Sequence, residues 1–258
     1  MVDLHIHILP GMDDGAETME DALEMARISV ESGVDTVAAS SHGNFDGYEP
    51  EELFEQYEEK FQAFRAKLSE EKIPLQVCRG MEWLVDDRLL DYIRKRRLPT
   101  INGGGYLLVE FYFDSSRRYV MSALDKLSEA GYRLILAHPE RYDFARKSPE
   151  SLIDLYRQEI ILQVNKGSLL GEFGRRAFRA ADYMLAKGLA GIVASDAHDP
   201  VLRSPDLEET ARILDLHYGS DASEILLEET PLHILGKQDK LGMQDRLGKQ
   251  NKEIEDMA

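Results

Sequence analysis

Cysteine is almost absent from this chain: Cys78 is the single thiol in 258 residues. That excludes an internal disulfide framework, disfavours a thiolate-bound structural zinc and fits a reducing cytoplasm. It also excludes cysteine-nucleophile phosphate-ester chemistry, which needs an arginine six positions after the thiol, where Leu84 stands. Positive charge is short as well, with 31 Lys and Arg against 48 Asp and Glu, a net −17. Residues 236–258 carry five basic and five acidic side chains, so the deficit belongs to residues 1–235. A body this acidic repels a phosphate backbone, and nucleic acid is not an expected partner. No apolar run approaches the ~18 residues of a membrane span, so no membrane insertion is expected. The opening residues lack a basic segment followed by an apolar one, so no secretory leader is expected and a cytoplasmic location is. No Gly-x-Gly-x-x-Gly follows the first apolar run, so a dinucleotide fold loses support.

What is present is an alternation. The chain is 43% hydrophobic and 31% charged, an ordinary globular balance for one large domain or two small ones. Short apolar runs at 2–7, 36–40, 75–81, 106–110, 133–137, 160–164 and 190–195 read as strands. Amphipathic segments lie between them. Leu53, Tyr57, Phe61, Phe64 and Leu68 repeat at spacings of three and four, as do Met19, Leu23, Ala26 and Val30. Thr18 and Asp21 form a capping box at the second pattern's start, and Gly33, Gly131 and Gly188 sit where left-handed helix ends are expected. Seven strand–helix units without a linker predict an α/β fold on a parallel sheet, either closed as a barrel or open and doubly wound.

The end of the chain differs. Leu235-Gly-Lys-Gln-Asp-Lys240 is echoed by residues 241–246 and 247–252. A period of six fits neither a heptad nor a helical turn, and one leucine per repeat buries little. A flexible or loosely helical appendage is expected from residue 236.

Chemistry-bearing residues gather at the ends of the predicted strands. His5 and His7, two apart, share one side of the first strand, and Asp14 lies in the loop beyond. His42 follows the second strand, Glu82 the third; Glu110 ends the fourth; His138 follows the fifth; Asp196 and His198 follow the seventh. In (β/α) barrels the reacting groups collect at the carboxyl ends of the strands. Mixed imidazole and carboxylate donors suit Mn²⁺, Fe²⁺ or Zn²⁺, and two or three such ions clamp the attacking and leaving oxygens of a hydrolysis. His217 and His233 fall outside the pattern and read as structural or solvated. Trp83 reads as a packing residue, and Phe45 and Tyr48 as candidates to line a phenol-sized pocket.

The stretches Asp3–Gly15, Gly80-Met-Glu82, His138-Pro-Glu-Arg141, Gly167-Ser-Leu-Leu-Gly-Glu-Phe-Gly174 and Ala194-Ser-Asp-Ala-His198 resemble the PHP (polymerase and histidinol phosphatase) superfamily. More narrowly they resemble its bacterial manganese-dependent tyrosine phosphatases of the capsule and exopolysaccharide type, CpsB/CapC-like, in order over residues 1–235. The resemblance implies a distorted TIM-like (β/α)₇ barrel with three divalent ions, most often Mn²⁺, at the carboxyl ends of the strands. It implies His5, His7, Glu82 and Asp196 around the first ion, and Glu82, Glu110 and His138 around the second with Glu82 bridging. Asp14, His42 and His198 would hold the third. Arg141 and Arg203 match the phosphate-clamping arginines, and Asp199 is the candidate general acid.

The implied reaction is phosphomonoester hydrolysis. A tyrosinate leaving group, with a pKa of about 10, needs little help from an acid. The implied partner is a tyrosine-phosphorylated bacterial kinase controlling polysaccharide export. The alternatives are a small-molecule phosphatase such as histidinol phosphatase on the same site, a polymerase-type exonuclease, which the charge opposes, and a kinase-binding regulator without turnover.

Overall fold

The structure, a computed structural model, describes residues 1–45 and 49–237. Among them are eight strands, with helices between all but the third and fourth: β1 Val2–Ile6, β2 Thr36–Ala39, β3 Gln76–Arg79, β4 Glu82–Leu84, β5 Tyr106–Glu110, β6 Arg133–Ala137, β7 Ile161–Asn165 and β8 Ala190–Ala194. All neighbours pair in parallel, in two sheets of order β1-β2-β3 and β4-β5-β6-β7-β8. The fold is α/β on parallel sheets, because a helical crossover returns each strand to the same direction, except between β3 and β4, which follow one another along a single run.

The third expected strand, 75–81, is divided. β3 and β4 are separated by Gly80 and Met81. The cause is Tyr57, from the helix Pro50–Glu70. Its buried hydroxyl donates to the Ala39 carbonyl at 2.8 Å and accepts from the Gly80 amide at 3.0 Å. The side chain thus takes over two backbone groups where the ladder between β2 and the third run would continue. Beyond the break, Gly43 donates to the Glu82 carbonyl at 2.7 Å, and an isolated bridge joins His42 to Glu82. A second isolated bridge, Ile6 to Ala197, joins the other edges of the two sheets.

The two-residue period of the strands separates two cores. Leu107 and Val109 of β5, Leu134 and Leu136 of β6 and Leu162 and Val164 of β7 face the large helix-packed core. Tyr106 and Leu108, Ile135 and Ala137, and Ile192 of β8 belong to a smaller cluster with Ile234 and Leu235. Glu110 continues the face of Tyr106 and Leu108, so a candidate ligand stands at the end of an apolar column.

The helices follow their sequence patterns. Leu53, Tyr57, Phe61, Phe64 and Leu68 are the buried face of Pro50–Glu70. Thr18 and Asp21 close the capping box that starts Met19–Glu31. Gly33, Gly131 and Gly188 follow helices and carry φ of 89°, 89° and 63°. Gly236 and Lys237 bond back onto the helix Thr230–Ile234. Residues 238–258, which hold most of the six-residue repeat, lie outside the described residues. No helix among the described residues is long and apolar enough to cross a membrane.

Candidate metal centre

The nine side chains that the sequence singles out come together. His5 and His7 stand on and just beyond β1, His42 beyond β2, Glu82 at the start of β4, Glu110 at the end of β5, His138 beyond β6 and Asp196 and His198 beyond β8. Asp14 reaches in from the loop after β1. Four overlapping groups have donor atoms close enough to share an ion: His7, Asp14, His42 and His198; His5, His7 and Asp196; His5, Glu82 and His138; and His42, Glu82 and Glu110. Relative to the ligand sets that the resemblance implies, His7 also stands with the Asp14 group and His5 with Glu82 and His138.

Two of these residues depend on an unusual backbone. His138 has φ of 36° and Asp196 φ of 50°, both in the left-handed region. Such a conformation costs a non-glycine residue on the order of 1–3 kcal/mol, and it persists where the surroundings fix it. At His138 it re-aims the chain ahead of Pro139 and turns the imidazole toward Glu82, 3.2 Å away.

The rings are oriented from behind. Asp13 Oδ2 lies 2.7 Å from His7 Nδ1 and accepts the His42 amide at 2.8 Å. Gln163 Oε1 lies 3.0 Å from His5 Nδ1 and accepts the His138 amide at 3.1 Å. Both imidazoles are therefore left with Nε2 facing the cluster, and the two Nε2 atoms are 3.2 Å apart. His5 Nε2 is also 3.2 Å from Glu82 Oε1 and 3.4 Å from Asp196 Oδ1. His42 Nε2 lies 3.3 Å and His198 Nε2 3.5 Å from Asp14 Oδ1. Carboxylates behind ligating histidines fix the tautomer and raise ligand basicity.

The cluster's charge is concentrated and buried; His5, His7, Glu82, His138 and Asp196 are all inaccessible or nearly so. Burial opposes the His7 imidazolium, yet the Asp13 and Glu82 carboxylates beside it raise its pKa to about 10. Burial also opposes ionisation of Asp196, but His5, His138 and Arg203 hold its pKa at about 2. Glu82 is lowered well below the carboxylate range by His5, His138 and His42, again against burial. His198 moves the other way, lowered chiefly by burial. Among the described residues, Arg141 and Arg203 bring fixed positive charge to the Asp196 carboxylate.

The donor set fits divalent cations. His42 Nδ1 is buried with no hydrogen-bond partner, although Glu82 Oε2 lies 3.2 Å and Glu110 Oε1 3.3 Å away. A ring nitrogen that faces two carboxylate oxygens without hydrogen-bond geometry is placed as one of several ligands around a common centre. Five imidazoles with carboxylates and no thiolate suit a borderline or hard ion.

Both predicted arginines stand over Asp196. Arg141 Nη1 is 3.2 Å and Arg203 Nη2 2.7 Å from its Oδ2. Arg203 Nη2 also donates to the Asp196 carbonyl at 3.0 Å. Asp199 stands differently. Its carboxylate accepts the amides of Val201, Leu202 and Arg203 at 2.7, 2.6 and 3.0 Å. Burial would raise its pKa, but those amides and Arg203 lower it on balance. A carboxylate that accepts three successive amides anchors a turn.

Phe45 packs toward Tyr92 and Trp83, with ring centroids 5.1 and 5.8 Å apart. Tyr48 lies outside the described residues. Trp83 is a fully buried packing residue. Cys78 is half-buried in β3, with its pKa raised by that burial.

Several supporting residues escape a reading by ligand type. Asp13 is hidden beside Asp14, which looks equivalent in sequence. Gln163 and Asn165 carry a signal: they alternate on one face of an otherwise apolar strand. Asn165 Nδ2 donates to Asp196 Oδ2. Buried Lys166 donates through Nζ to the carbonyls of Ser204 and Asp206, tying the loop after β7 to the one that carries Arg203.

Over residues 1–236 the chain matches the family described as capsular polysaccharide synthesis, CpsB/CapC. It is 34% identical over 232 residues to tyrosine-protein phosphatase YwqE of Bacillus subtilis, covering 90% of this chain and 91% of that one. It is 30% identical to tyrosine-protein phosphatase CpsB of Streptococcus pneumoniae, covering 92% of this chain and 99% of that one. A solved structure from work on these two proteins, described as unique metal-dependent tyrosine phosphatases, superposes with a TM-score of 0.82. That superposition has 33% identity and covers 93% of this chain and 96% of the other.

Proposed function

This chain belongs to the CpsB/CapC capsular polysaccharide synthesis family, and from that membership and its buried donor cluster we propose how it works as a metal-dependent protein-tyrosine phosphatase. The activity is hydrolysis of phosphotyrosine. The observation that carries the reading is the convergence of nine His, Asp and Glu side chains beneath two arginines at the ends of the strands.

We assign three divalent ions, with Mn²⁺ the native metal. His5, His7, Glu82 and Asp196 would hold one; Glu82, Glu110 and His138 the second; Asp14, His42 and His198 the third. Such ions supply positive charge to the phosphoryl oxygens and lower the pKa of bound water toward ~7. The chain's own part is orientation and charge. Asp13 and Gln163 fix the His7 and His5 tautomers. Arg141 and Arg203 present guanidinium edges to the phosphoryl group, where forked N–H donors match charge spread over several oxygens. Asp196 holds both guanidinium groups beside the cluster. With a leaving-group pKa of about 10, tyrosinate departs without a dedicated acid, consistent with Asp199 serving its turn.

In this reading the two sheets are parts of one distorted barrel of seven strand–helix units. The bridges from Ile6 to Ala197 and from His42 to Glu82 support it, as does the division of the third unit by Tyr57. Residues 1–235 are the catalytic unit and the repeat segment an appendage. The physiological substrate is a cytoplasmic tyrosine kinase that governs capsular or extracellular polysaccharide synthesis. The family's role in that synthesis supports the choice.

Steady-state kinetics on a phosphotyrosine peptide and on histidinol phosphate, side by side, test the substrate class. A higher kcat/KM for the peptide is expected. Preference for histidinol phosphate would make the protein a small-molecule phosphatase on the same site.

A further inference from the structure

The segment Gly167–Gly174 is the sequence motif to which the ligand set gives no task. It runs from the end of β7 to the helix Gly174–Ala186. Its first glycine is tightly enclosed. A Cβ built at Gly167 would meet Phe173 Cε2 at 2.7 Å and Glu172 Oε2 at 2.5 Å. The segment folds back on itself, with the Glu172 amide donating to the Gly167 carbonyl at 2.8 Å. Its entry is pinned by the Gly167 amide, which donates to Asn165 Oδ1 at 2.8 Å. The carboxylate end of Glu172 can swing away, but a ring packed against the backbone cannot do so without moving the loop. Glycine at 167 is therefore what lets Phe173 lie where it does.

Phe173 lies against Arg141. The guanidinium carbon is 4.1 Å from the Phe173 ring centroid and 4.5 Å from that of Phe113. Phe113 follows β5, and its ring also meets His138 edge-on at 5.7 Å. Arg141 is thus held by Phe113 from the loop after β5, by Phe173 from the loop after β7 and by Asp196 beyond β8. A guanidinium is weakly hydrated over its faces and stacks well on aromatic rings, while its edge keeps the N–H donors. One donor is committed to Asp196. Ring contacts leave the other edge donors free and restrain the swing of a long, flexible side chain.

We propose that Phe173 and Phe113 are positioning residues for Arg141, and that the Gly167–Gly174 segment exists to place Phe173. The two rings hold the guanidinium ready to receive the phosphoryl oxygens, so its order is established before substrate arrives. This rests on the reading of Arg141 as a phosphate clamp.

The test uses the full-length, metal-loaded protein, with metal content measured for every variant. F173L, F173W, R141A and the double variant F173L/R141A are compared by KM and kcat on a phosphotyrosine peptide and by the inhibition constant of inorganic phosphate. F173L is expected to raise KM and the phosphate inhibition constant together by about tenfold, the size of a partly desolvated cation–π contact, with kcat less affected. F173W should restore both. In the R141A background F173L should add less than about twofold, because contacting residues that act through one another are not additive. G167A, which crowds the same ring, should reproduce the F173L phenotype. An equal penalty for F173L with and without Arg141, or kinetics of F173L indistinguishable from the parent, would overturn the proposal while the clamp reading stands. Parental kinetics for R141A would instead remove the clamp reading, and the positioning role with it.

Discussion

Asp13 Oδ2 is 2.7 Å from His7 Nδ1, and the same oxygen accepts the backbone amide of His42 at 2.8 Å. One buried carboxylate oxygen thus fixes a ring on β1 and the chain beyond β2. Burial would raise the Asp13 pKa, but His7 and the His42 amide hold it at about 2. Its neighbour Asp14 points into the cluster itself, toward His42 and His198. Two consecutive aspartates perform different tasks.

Asp13→Asn should therefore weaken metal binding without removing a ligand. Loss of a carboxylate behind a ligating histidine lowers affinity by roughly 10–100-fold. Calorimetric titration of the metal-free protein with Mn²⁺ checks this, and unchanged affinity would show that Asp13 does not orient His7.

Metal binding should release protons. With a pKa of about 10, the His7 ring of the metal-free protein is protonated at neutral pH, and a ligand must offer its lone pair. Affinity is expected to rise with pH from neutrality toward about 10. Titrations in two buffers of different ionisation enthalpy measure the release. The His7–Asp13 pair also stabilises the metal-free fold. A folded-state pKa raised above the unfolded value makes that contribution complete below the ordinary histidine pKa of about 6.5. It is lost as pH climbs through about 10.

Arg203→Ala should depress kcat/KM on a phosphotyrosine peptide by about 10²-fold, as removal of one preorganised donor to developing charge does. Its metal content should stay at the parental level, since Arg203 meets Asp196 from outside the donor groups. Parallel metal analysis and steady-state kinetics separate this from simple loss of an ion.

Tyr57→Phe should destabilise the fold by about 1–3 kcal/mol, because the buried Ala39 carbonyl and Gly80 amide each lose a partner. Urea unfolding measures it. Burial raises the Tyr57 pKa. The neutral phenol therefore contributes fully below the unfolded pKa of about 10, and that contribution is lost as pH rises past it. The parent should lose its advantage over the phenylalanine variant in strongly alkaline solution.

Much of the site is legible in the sequence because strand geometry is simple. His5 and His7, two apart, must share a side, and Glu110 must continue the face of Tyr106 and Leu108. Local chemistry made Thr18 and Asp21 readable as a helix start. The rest depends on relations that no local pattern carries. The left-handed backbone at His138 and Asp196 aims their side chains, and residue type gives no sign of it. The break between β3 and β4 comes from Tyr57, on a helix that precedes the break in the chain. Asp13 and Asp14 differ only in what lies across from them. The three amides that Asp199 accepts likewise follow from the turn it sits in, which residue type alone does not announce.

Phosphate release from a phosphotyrosine peptide, followed as the protein is stripped with chelator and then reloaded with Mn²⁺, tests the central claim most directly. Turnover should vanish on stripping, return on reloading and stay absent in Asp196→Ala and His138→Ala. Sustained turnover by the stripped protein, or parental rates in either variant, would contradict the account.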